Sequence, residues 1–239
     1  MNAPYKRRDL VIIPLRGSQN MVLACDSCGG IGNKAGDVMK LAPYFVGKFT
    51  IRVALLEVMA SGARPIIISD GLCCEMAPTG EDILRGIADE INICGLKDVM
   101  LTGSTEENFP TSMTGVGLSV LGLAEESELR FGNGRSGDIA VLAGMPAMGP
   151  EVDLSDNSCY ENLARLLACR DVIEIVPVGS KGILYEANLL ARLHALSFEP
   201  ASCGVNLSAS AGPATCVIAM CRPEAVHEFP NYTVVGGFK

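Results

Sequence analysis

The sequence is short of several things that common functions require. It has two histidines, His194 and His227, distant from each other and from any evident partner. That scarcity argues against a Ser–His–Asp hydrolase, and no nucleophile-elbow motif accompanies it. There is no G-x-x-x-x-G-K-[ST], which excludes a P-loop NTPase. No apolar run approaches the ~18 residues that a membrane span needs. The basic start "MNAPYKRRDL" leads into "VIIPL", too short for the apolar region of a secretory leader, so none is expected. Basic residues are also outnumbered: 19 Lys and Arg face 27 Asp and Glu, for a net charge of −8. Nucleic acid and acidic membrane both select basic surface, so neither is expected as a main partner. A nucleotide is not disfavoured, because amide groups and metal meet its charge locally.

What remains is a globular chain. Its 239 residues are 49% apolar and 19% charged, enough for one large domain or two small ones with a real core. Ten cysteines sit mostly in apolar surroundings, as at Cys94, Cys169, Cys216 and Cys221. Reduced thiols in a cytoplasmic protein account for them better than a disulfide scaffold.

Strands are expected at 9–15 and 21–25, and a helix over "KFTIRVALLEVMAS" stopped by Gly62. "RPIIISD" reads as a buried strand ending in Asp70. Thr79 is placed to cap the next helix, with Asp82 three residues on; Ile83, Leu84, Ile87, Ala88 and Ile91 keep one apolar face, and Gly95 ends it. "KDVML" reads as a strand emptying into "TGSTEENFP", and "TGVGLSVLGL" and "DIAVLAG" as two more. Gly and Pro cluster at 144–152, placing a domain boundary there and giving domains 1–148 and 149–239. Helix, strand, helix and strand follow. The strands and helices alternate without a clean β-α-β rhythm, which indicates an α+β fold with mixed sheets.

Two motifs invite a reading they do not sustain. Cys25 and Cys28 form C-x-x-C, but a structural zinc site needs about four ligands and no suitable second pair exists. A redox C-x-x-C opens a helix, whereas "GGIGNK" follows here. The pair is read as thiols flanking Asp26. "FGNGRSGD" holds G-x-G-x-x-G at Gly132, Gly134 and Gly137, but it precedes a strand instead of following one, so it is read as a tight turn.

The acids are more informative. Asp26 and Asp70 end separate apolar strands, Glu106 and Glu107 follow a third, and Glu57 sits inside a largely apolar helix. Carboxylates at several strand ends suit a magnesium–triphosphate site, since Mg²⁺ takes oxygen ligands. Gly29, Gly30 and Gly32 would let backbone amides approach phosphate, and Lys34 adds a point charge.

These segments resemble one family. "ACDSCGGIGNK" is similar to the D-G-V-G-T-K loop of aminoimidazole ribonucleotide (AIR) synthases. "ALLEVMASGARPIIISD", "CGLKDVMLTGSTEENFP" and "LRFGNGRSGDIAVLAG" resemble their later segments, in the same order, from about residue 20 to 150. The resemblance implies a PurM-like, ATP-binding α+β fold: an N-terminal mixed sheet with flanking helices, closing into a barrel in a homodimer, and a reduced α/β C-terminal domain. It implies ATP and Mg²⁺, with Asp26 and Lys34 on the phosphate and magnesium loop. Glu57 and Asp70 fall on metal-binding acids, and Thr105 with Glu106 or Glu107 on the G-G-E/D-T segment. Glu57 stands where relatives usually carry Asp, and Ser104 where they often carry an acid. The short length, "TGSTEENFPTSMTGVG" and "SAGPAT" look most like the α-ribazole kinases, which phosphorylate a ribosyl 5′-hydroxyl in cobalamin salvage. The expected function is therefore a small-molecule kinase acting on a nucleoside-like acceptor. The alternatives are an AIR-synthase-type cyclase or ligase, a thiamine-monophosphate kinase-like enzyme, or a non-catalytic nucleotide-binding relative.

Overall fold

In the computed structural model, which describes residues 3–239, the chain divides into two units. One comprises the described residues up to Met59 with Ala63–Ser127; the other comprises Ala60–Gly62 with Glu128–Lys239. The first unit is built on β1 (Tyr5–Arg7), β2 (Leu10–Pro14), β3 (Gln19–Gly29), β4 (Ile31–Gly32), β5 (Met39–Lys40), helix α1 (Pro43–Ala60), β6 (Arg64–Leu72), helix α2 (Glu81–Ile93), β7 (Met100–Thr105) and β8 (Gly115–Glu125). Six of the strands form a sheet in the order β1-β2-β3-β8-β6-β7. All its pairings are antiparallel except β6 with β7.

Period-two alternation gives this sheet two unlike faces. Along β8 every second residue is buried. Val22, Ala24, Ile68, Leu72, Val116, Leu118 and Val120 lie on the covered face, and α1 adds Ile51, Ala54, Leu55, Leu56 and Val58 to the same core. The helices α1 and α2 meet backbone to backbone. A Cβ on Gly47 would fall 2.1 Å from the Ile83 carbonyl oxygen, and one on Gly86 1.9 Å from that of Tyr44. The charge buried at that crossing is paired, with the Arg52 Nε donating to Glu90 at 2.5 Å and Lys48 at 4.0 Å from the same carboxylate. Removing one partner of such a pair costs more than the pair itself contributes.

The second unit holds β9 (Ile139–Gly144), α3 (Ser158–Ala168), β10 (Val172–Pro177), α4 (Ile183–Leu193), β11 (Phe198–Pro200), β12 (Cys216–Cys221) and β13 (Thr233–Phe238). Its sheet runs β10-β12-β9-β13-β11, antiparallel throughout. Strands β10 and β12 are buried at every position, β12 as a continuous apolar run and β10 with the charged Glu174 inside it. The G-x-G-x-x-G segment is a turn before β9, as expected. Its Gly134 amide donates to His194 Nδ1 at 3.1 Å, while His194 Nε2 faces Glu174 at 3.0 Å.

The structure departs from the sequence reading in three places. The compact units divide at 127/128 and not at 148/149, because β9 is a central strand of the second sheet. Strand β7 begins at Met100 and carries through Thr105, so "TGST" lies within the strand. Thr79 does not cap α2. It lies in a π-turn over Met76–Gly80, and its hydroxyl donates to the Glu75 carboxylate. No described helix is long and apolar enough to cross a membrane.

Candidate functional site

Cross-strand register assembles the first part of the site. Asp26 of β3 and Asp70 of β6 both pair with Leu118 of β8, one from each side. Directly opposed residues share a face, so both carboxylates stand on the covered face, flanking Leu118. Asp70 is only 8% exposed. Its neighbour across the parallel pairing is Gly103, where a Cβ would lie 2.3 Å from an Asp70 carboxylate oxygen. The missing side chain at 103 is the space that Asp70 occupies.

Neither acid is compensated. Among the described residues the Asp70 carboxylate accepts no hydrogen bond and makes no ion pair, and burial raises its pKa above the usual carboxylate range. Burial likewise pushes Asp26 up to about 6, opposed only by the amide of Ser27. A desolvated carboxylate without a partner costs several kcal/mol, so the pair forms a half-buried anionic site that a cation would relieve.

Glu57 of α1 is different. Arg8, buried in the turn between β1 and β2, donates from Nη1 to Glu57 Oε2 at 3.0 Å. Burial raises Glu57 to about 7 despite Arg8, with Asp9 and Asp26 adding to the rise. The structure therefore does not gather Asp26, Glu57 and Asp70 as three ligands of one ion. Two strand spacings, about 10 Å, separate the backbones of Asp26 and Asp70, and Glu57 is engaged by Arg8. Among the described residues no three His, Cys, Asp or Glu side chains converge as a metal site.

The second part is a knot of loops at one end of the sheet. Asp37 fixes the loop from β3 to β5, accepting from the Lys34 amide at 2.8 Å, the Thr114 amide at 2.7 Å and the Thr114 hydroxyl at 2.8 Å. Burial would raise its pKa, but these donors hold it below the usual range. Lys34 sends its ammonium to Glu75. Glu107 accepts from the Met76 amide at 2.7 Å and from the Thr105 hydroxyl at 2.9 Å. Glu106 accepts from the amides of Asn108 and Phe109 at 2.7 and 3.1 Å. Of the glycines, Gly29 is inside β3, opposite Gly115. The Gly30 amide is already donated to the Thr114 carbonyl at 2.9 Å, so it is not a phosphate donor in this fold. Gly32 has a positive φ of 155°, and a Cβ there would collide with Thr114 and Asp37.

Arg8, Asp37 and Glu75 were missed from the sequence. Each meets its partner across 41 to 77 residues, a span that carries no local signal. Cys25 and Cys28 cannot act as a C-x-x-C pair: three residues apart on one strand, they point to opposite faces.

The model of the AIR synthase related protein N-terminal domain matches residues 7–124. No curated protein matches the chain closely enough to count as a relative. Solved structures agree on the fold. The chain is similar to PurL of Thermotoga maritima, solved with FGAR, at 16% identity and a TM-score of 0.73, covering 95% of this chain but 43% of PurL. It thus spans less than half the length of that protein. Thiamine monophosphate kinase of Aquifex aeolicus matches at 14% identity and a TM-score of 0.68, covering 92% of this chain and 84% of its own. HypE in its complex with HypF matches at 12% identity and a TM-score of 0.69, covering 95% and 86%. The fold is thus PurM-like and α+β. Within the segment that this family model matches lie Asp26, Lys34, Glu57, Asp70, Glu75, Glu106 and Glu107.

Proposed function

We propose that this chain is an ATP- and Mg²⁺-dependent phosphotransferase acting on a small nucleoside-like molecule, with the ribosyl 5′-hydroxyl of α-ribazole as the leading acceptor. The observation that carries this reading is the pair Asp26 and Asp70, two desolvated carboxylates on one sheet face, neither paired with a cationic side chain among the described residues. Thiamine monophosphate kinase and PurL, which share the fold, have been solved with AMPPCP and with ATP.

Hard oxygen donors suit Mg²⁺, and the missing side chain at Gly103 lets the Asp70 carboxylate take up its position there. Asp26 and Asp70 would each offer a carboxylate oxygen to Mg²⁺, and Glu57 stays with Arg8. Bound Mg²⁺ would neutralise charge on a triphosphate. Lys34 would bind phosphate oxygens through its ammonium. Phosphoryl transfer asks mainly for positioning and charge neutralisation, and the rigid β3–β8 pairing supplies the first. Thr105, Glu106 and Glu107 would border the acceptor. Glu107 would orient its hydroxyl through the carboxylate oxygen not committed to Met76 and Thr105.

The proposal includes a homodimer and a cytoplasmic location. On the sheet face opposite the acids, Val11, Leu23, Leu121, Ile67 and Met100 form one continuous apolar row, with Ile67 39% and Met100 73% exposed. A second copy of this sheet would cover it. All ten cysteines are free thiols, as a reducing compartment keeps them.

The test is ADP release with Mg²⁺ and ATP against α-ribazole, thiamine monophosphate and FGAR. ADP formed only with α-ribazole, together with a phosphorylated product, is the expected result. ADP formed with FGAR and an ammonia source would move the chain to PurL-type ligation. Nucleotide binding without turnover of any acceptor would make it a non-catalytic relative.

A further inference from the structure

Lys34, the lysine proposed to bind phosphate, is firmly held. Its amide is bound by Asp37 Oδ2 at 2.8 Å, and its carbonyl accepts from the Lys40 ammonium. Its own ammonium meets Glu75 Oε2, and the other Glu75 oxygen accepts from the Thr79 hydroxyl. Glu75 leads directly into the π-turn that starts α2. Its carboxylate is thus anchored by a hydroxyl four residues along and reaches across 41 residues to Lys34. The lysine and glutamate side chains are 15% and 32% exposed, so the pair sits at a surface rim and is not sealed in the core. An ammonium has three donors. Glu75 takes one and leaves the rest directed by the same fixed geometry.

We infer that Glu75 is a positioning residue for phosphate recognition, holding the Lys34 ammonium at a fixed point so that an incoming phosphate meets an already ordered donor. The inference rests on the phosphotransferase reading. A lysine carries its charge on a long flexible stem, and ordering that stem in advance removes an entropy cost from binding. Glu75 faces the phosphate position only through Lys34, so its contribution should disappear when Lys34 is removed.

Two measurements test this. In the nucleotide-free protein, acylation of lysines by acetic anhydride is followed by peptide mass mapping, with the exposed Lys97 as internal reference. Lys34 should react several-fold more slowly than Lys97 in the wild type, and Glu75→Ala should remove that protection. In steady-state kinetics Glu75→Ala should raise the KM for ATP about tenfold with a smaller change in kcat. Glu75→Gln keeps an acceptor oxygen for the ammonium and should recover most of that loss. In a Lys34→Ala background, Glu75→Ala should add nothing. Multiplying effects in the double variant, an unchanged KM in Glu75→Ala, or a wild-type Lys34 as reactive as Lys97 would each overturn the inference while leaving the kinase reading intact. A wild type that shows the acylation pattern yet neither binds nor turns over ATP would overturn the phosphotransferase reading, and the role given to Glu75 with it.

Discussion

Replacing Asp26 by asparagine should make the metal-free protein more stable, and the size of the effect follows from its surroundings. Burial pushes the Asp26 carboxyl from its ordinary 3.8 up to about 6, with the Ser27 amide pulling the other way. A tenfold change in proton affinity is about 1.4 kcal/mol, so the ionised form destabilises the fold by about 3 kcal/mol. Solvent screening of a partly exposed carboxylate lowers that to about 2 kcal/mol. The folded-state value lies above the unfolded one, so the native protein takes up a proton between pH 3.8 and about 6 that the unfolded chain does not hold. Stability therefore rises as pH falls through that window and is lowest above it. Glu57 acts in the same direction, since the Asp26 charge is one of the influences keeping it near 7. Asparagine preserves the shape and removes the charge. The expected gain at neutral pH is about 2 kcal/mol, or a melting midpoint roughly 4–8 °C higher for a chain of this size. Scanning fluorimetry from acid to mildly alkaline pH, with and without Mg²⁺, reads all of this. Mg²⁺ should raise the wild-type midpoint and leave Asp26→Asn unmoved, and the variant should be inactive. An Asp26→Asn protein that melts at or below the wild type at neutral pH would refute the uncompensated-carboxylate reasoning.

Three further outcomes follow from the same geometry. Arg8→Ala strands the buried Glu57 and should cost about 3–5 kcal/mol at alkaline pH. Chemical denaturation should show the loss shrinking on acidification through pH ~7, where Glu57 protonates, and Arg8→Ala with Glu57→Gln should recover most of it. Gly103→Ala puts a methyl group into the Asp70 carboxylate. Steady-state rates should fall at least tenfold, a change of about 1.4 kcal/mol in the barrier, while the melting midpoint moves little. Asp37→Ala removes the acceptor for two amides and one hydroxyl. Hydrogen exchange should report loss of protection at Lys34 and Thr114, with β3 and β8 unaffected.

The sequence was legible wherever local periodicity and punctuation coincide. The strand that carries Asp70, which runs on to Leu72, the amphipathic α2 and its stop at Gly95 are all visible as patterns of a few residues. The order of the motifs from about residue 20 to 150 is visible too, and the family match covers residues 7–124, leaving the last motif outside it. What was not legible is contact between distant residues. Thr79 has the chemistry of a helix cap, but the local alternative of donating to Glu75 wins because Glu75 is itself pinned by Lys34. Asp26, Glu57 and Asp70 look like three equal strand and helix acids until Arg8 singles one out. The short edge strands β1 and β11 are too brief to show a period. The domain division was misplaced because a Gly–Pro cluster marks a turn equally well inside a domain or between two.

Strand β3 pairs with β8 at each of its eleven positions, and Asp26 lies inside that unbroken run. Such a girder cannot flex at one rung, so the acid is fixed as firmly as the sheet itself. The segment between β7 and β8 is built in the opposite way, with Phe109 74% and Met113 42% exposed on a stretch without regular structure. On the proposed function, the metal-binding acid and the residues bordering the acceptor sit in mechanically separate parts. On that reading, rewriting 108–113 while keeping Glu106 and Glu107 should change what is accepted more than how fast it reacts, and that makes this stretch the natural place to look when related chains differ in what they accept.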